Sequence, residues 1–239
     1  MEKTRLNRFV QKYNLNGNAE QVKWSFKGNK LITDFITDDK SLKGTVVMNN
    51  MQFDDMDIGV YDTAQLQRLL SVLGEDISVD INNVGDKAVS LNIKNGSVSV
   101  DFNLSDLSII PKSAQMKRIP DFNTQIKIDS KFIETFIKGK TALPDSQTFS
   151  VLSKNSVPMI VIGYAKTNTN RVNIPVEQLN WDIDEPITFN AELFKEILVS
   201  NKECTSAILE VSTAGLARIN FKVDDYDSTY YVVATQEVD

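Results

Sequence analysis

Four segments of this sequence share one helical pattern and recur at nearly equal spacing. Each starts at a polar or acidic residue and carries apolar residues four, seven and eight positions later, which is the spacing of one face of an α-helix. The starting positions lie 60, 67 and 61 residues apart. One such helix would say little, whereas four in near-register form an internal repeat that constrains the fold. The starting residues are Glu2, Asp62, Asp129 and Asn190.

Strand-like segments separate these helices. Asn-Gly and Gly-Asn pairs mark hairpin turns, and alternation such as Val22, Trp24 and Phe26 places apolar side chains on one face. The repeating unit is a helix followed by about four strands, and it occurs twice in each half of the chain. We therefore predict an α+β fold of two pseudo-duplicated domains, each with two helices packed on antiparallel sheets. The predicted helices lie near residues 2–13, 62–74, 129–140 and 190–202. The predicted strands are 21–27, 30–37, 43–49, 53–61, 76–82, 87–94, 97–102, 124–128, 148–153, 158–164, 171–176, 186–189, 207–212, 217–223 and 229–235.

The segment from 104 to 122 differs from the rest because it contains two prolines and lacks sustained alternation. Its length is near the upper limit for a structureless segment that has no role of its own. We predict an N-terminal domain over 1–103, a connector over 104–122 and a C-terminal domain over 123–239. The connector is unusually apolar at Leu104, Leu107, Ile109 and Ile110, either because it packs on the sheet beneath or because it binds a partner.

The composition argues against an enzyme. The 239 residues include no histidine, which removes the commonest general base, the commonest zinc ligand and every Ser-His or Cys-His arrangement. The single cysteine, Cys204, excludes an internal disulfide and favours the cytoplasm. Acidic clusters at 54–57, 182–185 and 224–227 lack the glycine and final glutamate of an EF-hand loop. We expect no catalytic residues, no metal site, no cofactor and no membrane span.

The fourfold arrangement resembles sliding clamps, the ring-shaped processivity factors of DNA replication, and in particular the T-even-phage type. The resemblance covers the whole chain and is strongest in DIGVYDTAQLQRLLSVL (57–73) and STYYVVATQEVD (228–239). LSIIP (107–111) and YYVVA (230–234) are similar to the connector and tail of eukaryotic clamps. The first helix has no strand ahead of it, a departure that phage clamps share.

The resemblance implies a homotrimeric, head-to-tail ring that encircles duplex DNA without reading its sequence. It implies tethering of a replicative DNA polymerase and loading by an ATP-driven clamp loader, in the host cytoplasm if the protein is viral. The strands at 97–102 and 171–176 are the candidate edges for pairing between protomers. Part of the connector and the tail would border a pocket for a partner peptide. The pocket residues are Leu107, Ile109, Ile110, Pro111, Tyr231, Val232, Val233 and Ala234.

Charge is distributed unevenly along the chain. The formal net charge is −6, yet the predicted helices sum to +4, of which the first helix contributes +3. Most cations on the helices fall opposite the apolar face, as expected for a surface that faces DNA, although amphipathic helices place charge outside in any case. Glu192 and Glu196 on the fourth helix do not fit this pattern. The residues that we expect to face DNA are Arg5, Arg8, Lys12, Arg68, Lys131 and Lys138.

Two other functions remain open at this point. The first is a phage structural or assembly protein built of duplicated α+β domains, without a DNA function. The second is a carboxylate-dependent hydrolase. The absence of histidine makes it the less favoured alternative.

Overall fold

The computed structural model describes residues 1–113, 116–165 and 169–235. Within these ranges the chain forms four helices and sixteen strands in two compact units. The first unit comprises Met1–Asp38, Gly44–Ser113 and Asp225–Asp227, and the second comprises Asp39–Lys43, 114–224 and 228–239. In the described residues no helix is long and apolar enough to cross a membrane.

The four predicted helices are confirmed, and side chains cap three of them. The Asp62 carboxylate accepts a hydrogen bond from Gln65 N, and Asp129 accepts one from Phe132 N; both distances are 2.7 Å. Asn190 caps its helix in the same way, whereas Glu2 makes no such bond. A capping side chain satisfies an amide that has no partner within the helix, and it fixes where the helix begins. The helices are α1 (Lys3–Asn14), α2 (Thr63–Ser71), α3 (Ser130–Ala142) and α4 (Ala191–Ser200).

The first unit contains two antiparallel arrangements of strands. One has the order β3-β2-β1-β4, and the other has the order β5-β6-β7. Burial alternates along β1, β2 and β3, so one face of this sheet carries the core. The strands are β1 (Val22–Lys27), β2 (Lys30–Ile36), β3 (Leu42–Asn49), β4 (Met56–Val60), β5 (Ser78–Val84), β6 (Lys87–Asn95) and β7 (Val98–Asn103).

The second unit repeats this plan with the orders β12-β8-β14-β15-β16 and β11-β10-β9-β13. Every strand predicted from the sequence is present. The prediction missed β12, a short edge strand whose three residues are all exposed and therefore show no apolar alternation. The strands are β8 (Thr124–Asp129), β9 (Thr148–Lys154), β10 (Val157–Ile162), β11 (Val172–Pro175), β12 (Gln178–Asn180), β13 (Ile187–Asn190), β14 (Ser206–Ser212), β15 (Leu216–Val223) and β16 (Tyr226–Val233).

Aromatic side chains join helix to sheet in each unit. In the first, Phe9 of α1 packs edge-on against the buried Trp24 of β1, with ring centroids 5.6 Å apart. In the second, Phe136 of α3 meets Phe149 of β9 at 5.3 Å and Phe194 of α4 at 5.0 Å. Edge-to-face pairs contribute about 0.5–1.5 kcal/mol beyond their buried area. The apolar faces of the helices therefore pack on antiparallel sheets, as the α+β prediction requires.

Candidate functional site

Arg5, the first of the cations expected to face DNA, is bound to another part of its own unit. Its guanidinium pairs with the carboxylate of Asp225, with Nε donating to Oδ2 at 2.6 Å. The same guanidinium donates to the carbonyl oxygens of Asn49 and Asn50. In return, the hydroxyl of Tyr226 donates to the Arg5 carbonyl oxygen at 2.7 Å. Arg5 therefore anchors the acidic segment Asp225–Asp227 to α1.

Tyr226 also covers the next two cations of α1. The guanidinium carbon of Arg8 lies 4.9 Å from the centre of the Tyr226 ring, and the Lys12 ammonium lies 5.3 Å from it. Lys12 is 0% exposed, so the prediction that it faces outward is wrong. The helical pattern located the apolar face of α1 correctly. It gave no sign that a segment more than two hundred residues away would cover the opposite face.

Three cations on the other helices are exposed. Arg68 of α2 donates to Gln65 Oε1 at 2.8 Å, which holds the guanidinium beside its own helix. On α3, Lys131 is exposed, and Lys138 pairs with Glu134 one turn earlier at 2.5 Å. That hydrogen bond is the main reason why the pKa of Glu134 is lowered. An exposed pair of this kind is weak, so its lysine remains accessible to a polyanion.

The acidic face of α4 is neutralised within its own unit. Lys140 of α3 is 4% exposed, and its ammonium contacts Glu192 at 3.0 Å and donates to the carbonyl oxygen of Pro144 at 3.0 Å. Lys195 contacts Glu192 at 2.6 Å and Glu196 at 3.3 Å. The hydrogen bond from Lys195 is the largest cause of the lowered pKa of Glu192. The two glutamates thus belong to a charge network that joins α3 to α4.

The connector residues divide between exposed and buried positions. Leu107 and Ile109 are 39% and 65% exposed, and Pro111 is also exposed. Ile110 is only 4% exposed, so the expectation that it anchors a partner is wrong for the protein in this state. Its side chain lies over Gly59, where an added Cβ would come within 3.1 Å of Ile110 Cγ1. Ile110 therefore belongs to the core of the first unit.

A short turn holds the exposed connector residues. The Asp106 carboxylate accepts a hydrogen bond from the Ser108 amide at 2.9 Å and a weaker one from the Lys87 ammonium. The bond from Ser108 is the chief cause of a pKa of about 2 for Asp106. A bridge between Ser105 and Gly59 fixes the start of the turn. Leu107 and Ile109 are thus presented on an ordered backbone.

The tail residues alternate between exposed and buried positions, because Tyr231 to Val233 lie on β16. Val232 is 2% exposed and points into the core, so its predicted role as a partner anchor is also wrong. Tyr231 is half-buried, and Val233 is 45% exposed. Ala234 follows the strand, and its amide donates to the Gly215 carbonyl oxygen at 2.8 Å. The outward-facing apolar residues of the tail are therefore Tyr231 and Val233.

The two strands expected to join protomers lie at sheet edges. In the described residues β7 has a partner on one side only, β6, and β11 likewise pairs only with β10. An edge strand presents unpaired amides and carbonyls along its free side, and these groups can pair with another chain. Their use as an interface stays a prediction.

Comparison with known proteins identifies solved structures with a similar fold. No protein-family model matches the sequence, and no curated protein matches it. Among solved structures, the chain is similar to the proliferating cellular nuclear antigen (PCNA) of Entamoeba histolytica, with 14% identity, a TM-score of 0.75, and coverage of 99% of this chain and 97% of the other. It is also similar to A. fulgidus PCNA, solved with the C-terminal region of FEN-1 bound, with 15% identity and a TM-score of 0.77 over 100% and 98% of the chains.

A third similar structure is the PCNA2–PCNA3 complex of Sulfolobus tokodaii, with 8% identity, a TM-score of 0.73, and coverage of 98% and 97%. These similarities extend over both units. They show that the chain has the fold of the PCNA sliding clamps, which confirms the fold class predicted from the fourfold repeat.

Proposed function

We propose that this protein is a sliding clamp of the T-even-phage type, a non-enzymatic homotrimeric ring that encircles duplex DNA. The observation that carries the proposal is the likeness to PCNA structures over essentially the whole chain. The phage type is proposed from the sequence resemblance, which is strongest at 57–73 and 228–239. In this role the protein tethers a replicative DNA polymerase and is placed on DNA by an ATP-driven clamp loader.

The exposed cations of α2 and α3 would contact the DNA. Arg68, Lys131 and Lys138 supply phosphate contacts without any means of reading bases, which suits a ring that slides. Arg5 and Lys12 are held by contacts inside the first unit, and Arg8 lies against Tyr226. We therefore limit the proposed DNA surface to the three exposed cations. Only weak binding is required, because a closed ring is retained by topology.

The free edges of β7 and β11 would join neighbouring protomers head to tail. A heterologous contact of this kind closes into a ring only if the rotation per protomer fits a whole number of copies. The PCNA2–PCNA3 complex shows that similar chains assemble with one another. For this chain we propose three identical copies.

Exposed and half-buried apolar residues would bind the polymerase and the loader. We propose Leu107, Ile109 and Pro111 on the connector, and Tyr231, Val233 and Ala234 on the tail, as contacts for short partner peptides. The A. fulgidus structure, in which a C-terminal region of FEN-1 is bound, supports docking of this kind. Apolar side chains that a partner buries carry most of the affinity of such contacts.

Sedimentation equilibrium over a dilution series tests the assembly. The chain has a mass of 26.8 kDa, so a trimer has about three times that mass at micromolar concentration. The mass should fall toward that of one chain on dilution, without a stable dimer. A particle that remains a monomer or dimer at tens of micromolar would contradict the proposed ring.

A further inference from the structure

The second unit contains a groove of about 1100 Å³. It is lined by Tyr164, by residues of the 182–188 segment, by Thr213 and by Ala234 and Thr235 of the tail. All of these residues belong to the second unit. The groove shares only Ala234 with the proposed contacts for polymerase and loader peptides. It is larger than a site for a small molecule requires, and it has room for several residues of an extended chain.

The groove is negatively charged. Asp182, Asp184 and Glu185 line it, and among the residues that the structure describes no lysine or arginine does. Asp184 and Glu185 are exposed, and within the described residues they make no hydrogen bond or ion pair. Asp182 accepts one hydrogen bond, from the side-chain amide of Asn123 at 3.0 Å. Three carboxylates on one concave surface concentrate a negative potential that attracts cations.

The loop that carries these carboxylates is anchored on both sides. Ile183, between two of the acids, is 3% exposed and packs into the core. The indole Nε1 of Trp181 donates to the Ile183 carbonyl oxygen at 3.1 Å, and the Asp182 amide donates to Thr124 Oγ1 at 2.8 Å. The backbone of the loop is therefore held in place before any ligand binds, which lowers the entropic cost of binding.

The remaining lining residues indicate what the groove binds. Within the described residues no group of three or more acidic, cysteine or histidine side chains could hold a metal ion. Tyr164, Pro186 and Ile187 add apolar surface beside the three carboxylates. A ligand that matches this lining carries several positive charges and apolar side chains on one chain.

We propose that this groove docks an extended basic peptide segment of a partner protein. Lysine or arginine side chains of the segment pair with Asp184 and Glu185, and an apolar side chain packs on Tyr164, Pro186 and Ile187. The proposal does not depend on ring formation or on DNA. It assigns to the second unit a partner surface that differs in charge from the apolar residues of the connector.

Fluorescence anisotropy with labelled peptides tests the proposal on the full-length chain. The probe is a ten-residue peptide that alternates arginine with leucine, and its counterpart carries glutamate in place of arginine. Asp184→Asn combined with Glu185→Gln removes two charges while keeping side-chain shape. Asp54→Asn combined with Asp80→Asn makes the same change in charge at two exposed positions in the first unit. Thr213→Trp obstructs the groove without altering charge.

We expect the groove pair and Thr213→Trp each to weaken binding of the basic peptide about three- to tenfold, with unchanged thermal melting. The control pair should leave the affinity within about a factor of two, and the acidic peptide should not bind. No binding by the parent protein, or equal losses in the groove pair and the control pair, would overturn the proposal. Displacement by spermidine at equal charge concentration would also overturn it, because the groove would then recognise cations rather than a peptide.

Discussion

Lys140 shows how a single buried charge ties two helices together. Its ammonium is almost fully covered and has two partners, Glu192 and the Pro144 carbonyl oxygen. Glu192 is 46% exposed in its side chain and has a second partner in Lys195. Lys140 therefore depends on Glu192 more than Glu192 depends on Lys140. Removing Lys140 leaves Glu192 both hydrated and paired, whereas neutralising Glu192 removes the countercharge of a buried ammonium and leaves it only neutral acceptors.

We predict that Glu192→Gln lowers the free energy of unfolding by about 1–3 kcal/mol and that Lys140→Met lowers it by less than about 1 kcal/mol. Urea unfolding at pH 7 measures both changes. Glu134→Gln on the exposed face of α3 is the matched control and should have little effect, since Glu134 and Lys138 are both exposed. Equal losses for the first two variants would contradict the network described for α3 and α4.

The same network predicts the direction of a pH dependence. The pKa of Glu192 is lowered in the folded chain, chiefly by the hydrogen bond from Lys195. A carboxyl group with a lowered pKa contributes stability at neutral pH and loses it as the pH falls below the ordinary value of 4.5. The stability difference between the parent and Glu192→Gln should therefore narrow as urea unfolding is repeated at progressively lower pH from 6 to 3.

At the scale of single residues, the sequence predicted contacts between residues that are close along the chain. It missed contacts between residues from distant segments. Asp62 was recognisable as an N-cap because its partner is only three residues away. The partners of Lys12 and Lys140 are different, since Tyr226 and Glu192 come from segments that only the folded chain brings close. No local pattern distinguishes a lysine that will be buried with such a partner from one that stays in water.

At the scale of elements, strand alternation separates residues that support the fold from residues that a partner can reach. The segment 229–235 is predicted as a strand, so Val232 and Val233 point to opposite faces. Its apolar residues run without a break from Tyr230 to Ala234, so the sequence does not show which of the two valines is buried. The burial of Ile110 was not predictable either, because it depends on the space left by a glycine in a different strand, Gly59.

We predict that Ile109→Ser combined with Val233→Ser weakens binding of a polymerase C-terminal peptide about tenfold or more, with little change in melting temperature. Both side chains are exposed, so their loss leaves no cavity. Titration calorimetry with the peptide measures the effect.

The matched control, Ile110→Ser combined with Val232→Ser, should instead lower the melting temperature, because it places hydroxyl groups in the core. Unaltered peptide affinity in the exposed pair would place the partner site elsewhere.

We predict that Arg68→Glu combined with Lys131→Glu reduces clamp-dependent DNA synthesis and makes DNA association less sensitive to salt, while the chain stays folded. Both side chains are exposed, so charge reversal costs little stability. The readout is the length of products made by the cognate polymerase and loader at several salt concentrations. Full processivity in this variant would show that α2 and α3 do not face DNA.

Arg5→Ala is the contrasting change on α1. It removes the partner of Asp225 together with hydrogen bonds to two carbonyl oxygens, so it should lower the free energy of unfolding by about 2 kcal/mol. At temperatures where the variant is folded, its processivity should match that of the parent. Loss of processivity without loss of stability would contradict this prediction and would indicate that Arg5 contacts DNA.

At the scale of the whole molecule, the fold was predicted mainly from the fourfold repeat of the helical pattern. Four helices at similar intervals, each followed by strands, were enough to predict the two-unit α+β plan, because repetition limits the arrangements that bury every apolar face. The similarity to PCNA structures, at 8–15% identity, shows the same fold in chains that share few residues with this one. The division into 1–103, 104–122 and 123–239 and the ring itself stay predictions, since both concern how units and copies behave together.

A threading experiment tests the central claim without a loader or a polymerase. A linear duplex with biotin at both ends is incubated with the protein, streptavidin is added to block the ends, and the DNA is isolated by gel filtration in high salt. A ring should remain with the DNA, should be released when a restriction enzyme cuts between the ends, and should be absent when streptavidin is added first. Equal retention regardless of the order of addition, or loss in high salt despite blocked ends, would contradict the proposed clamp.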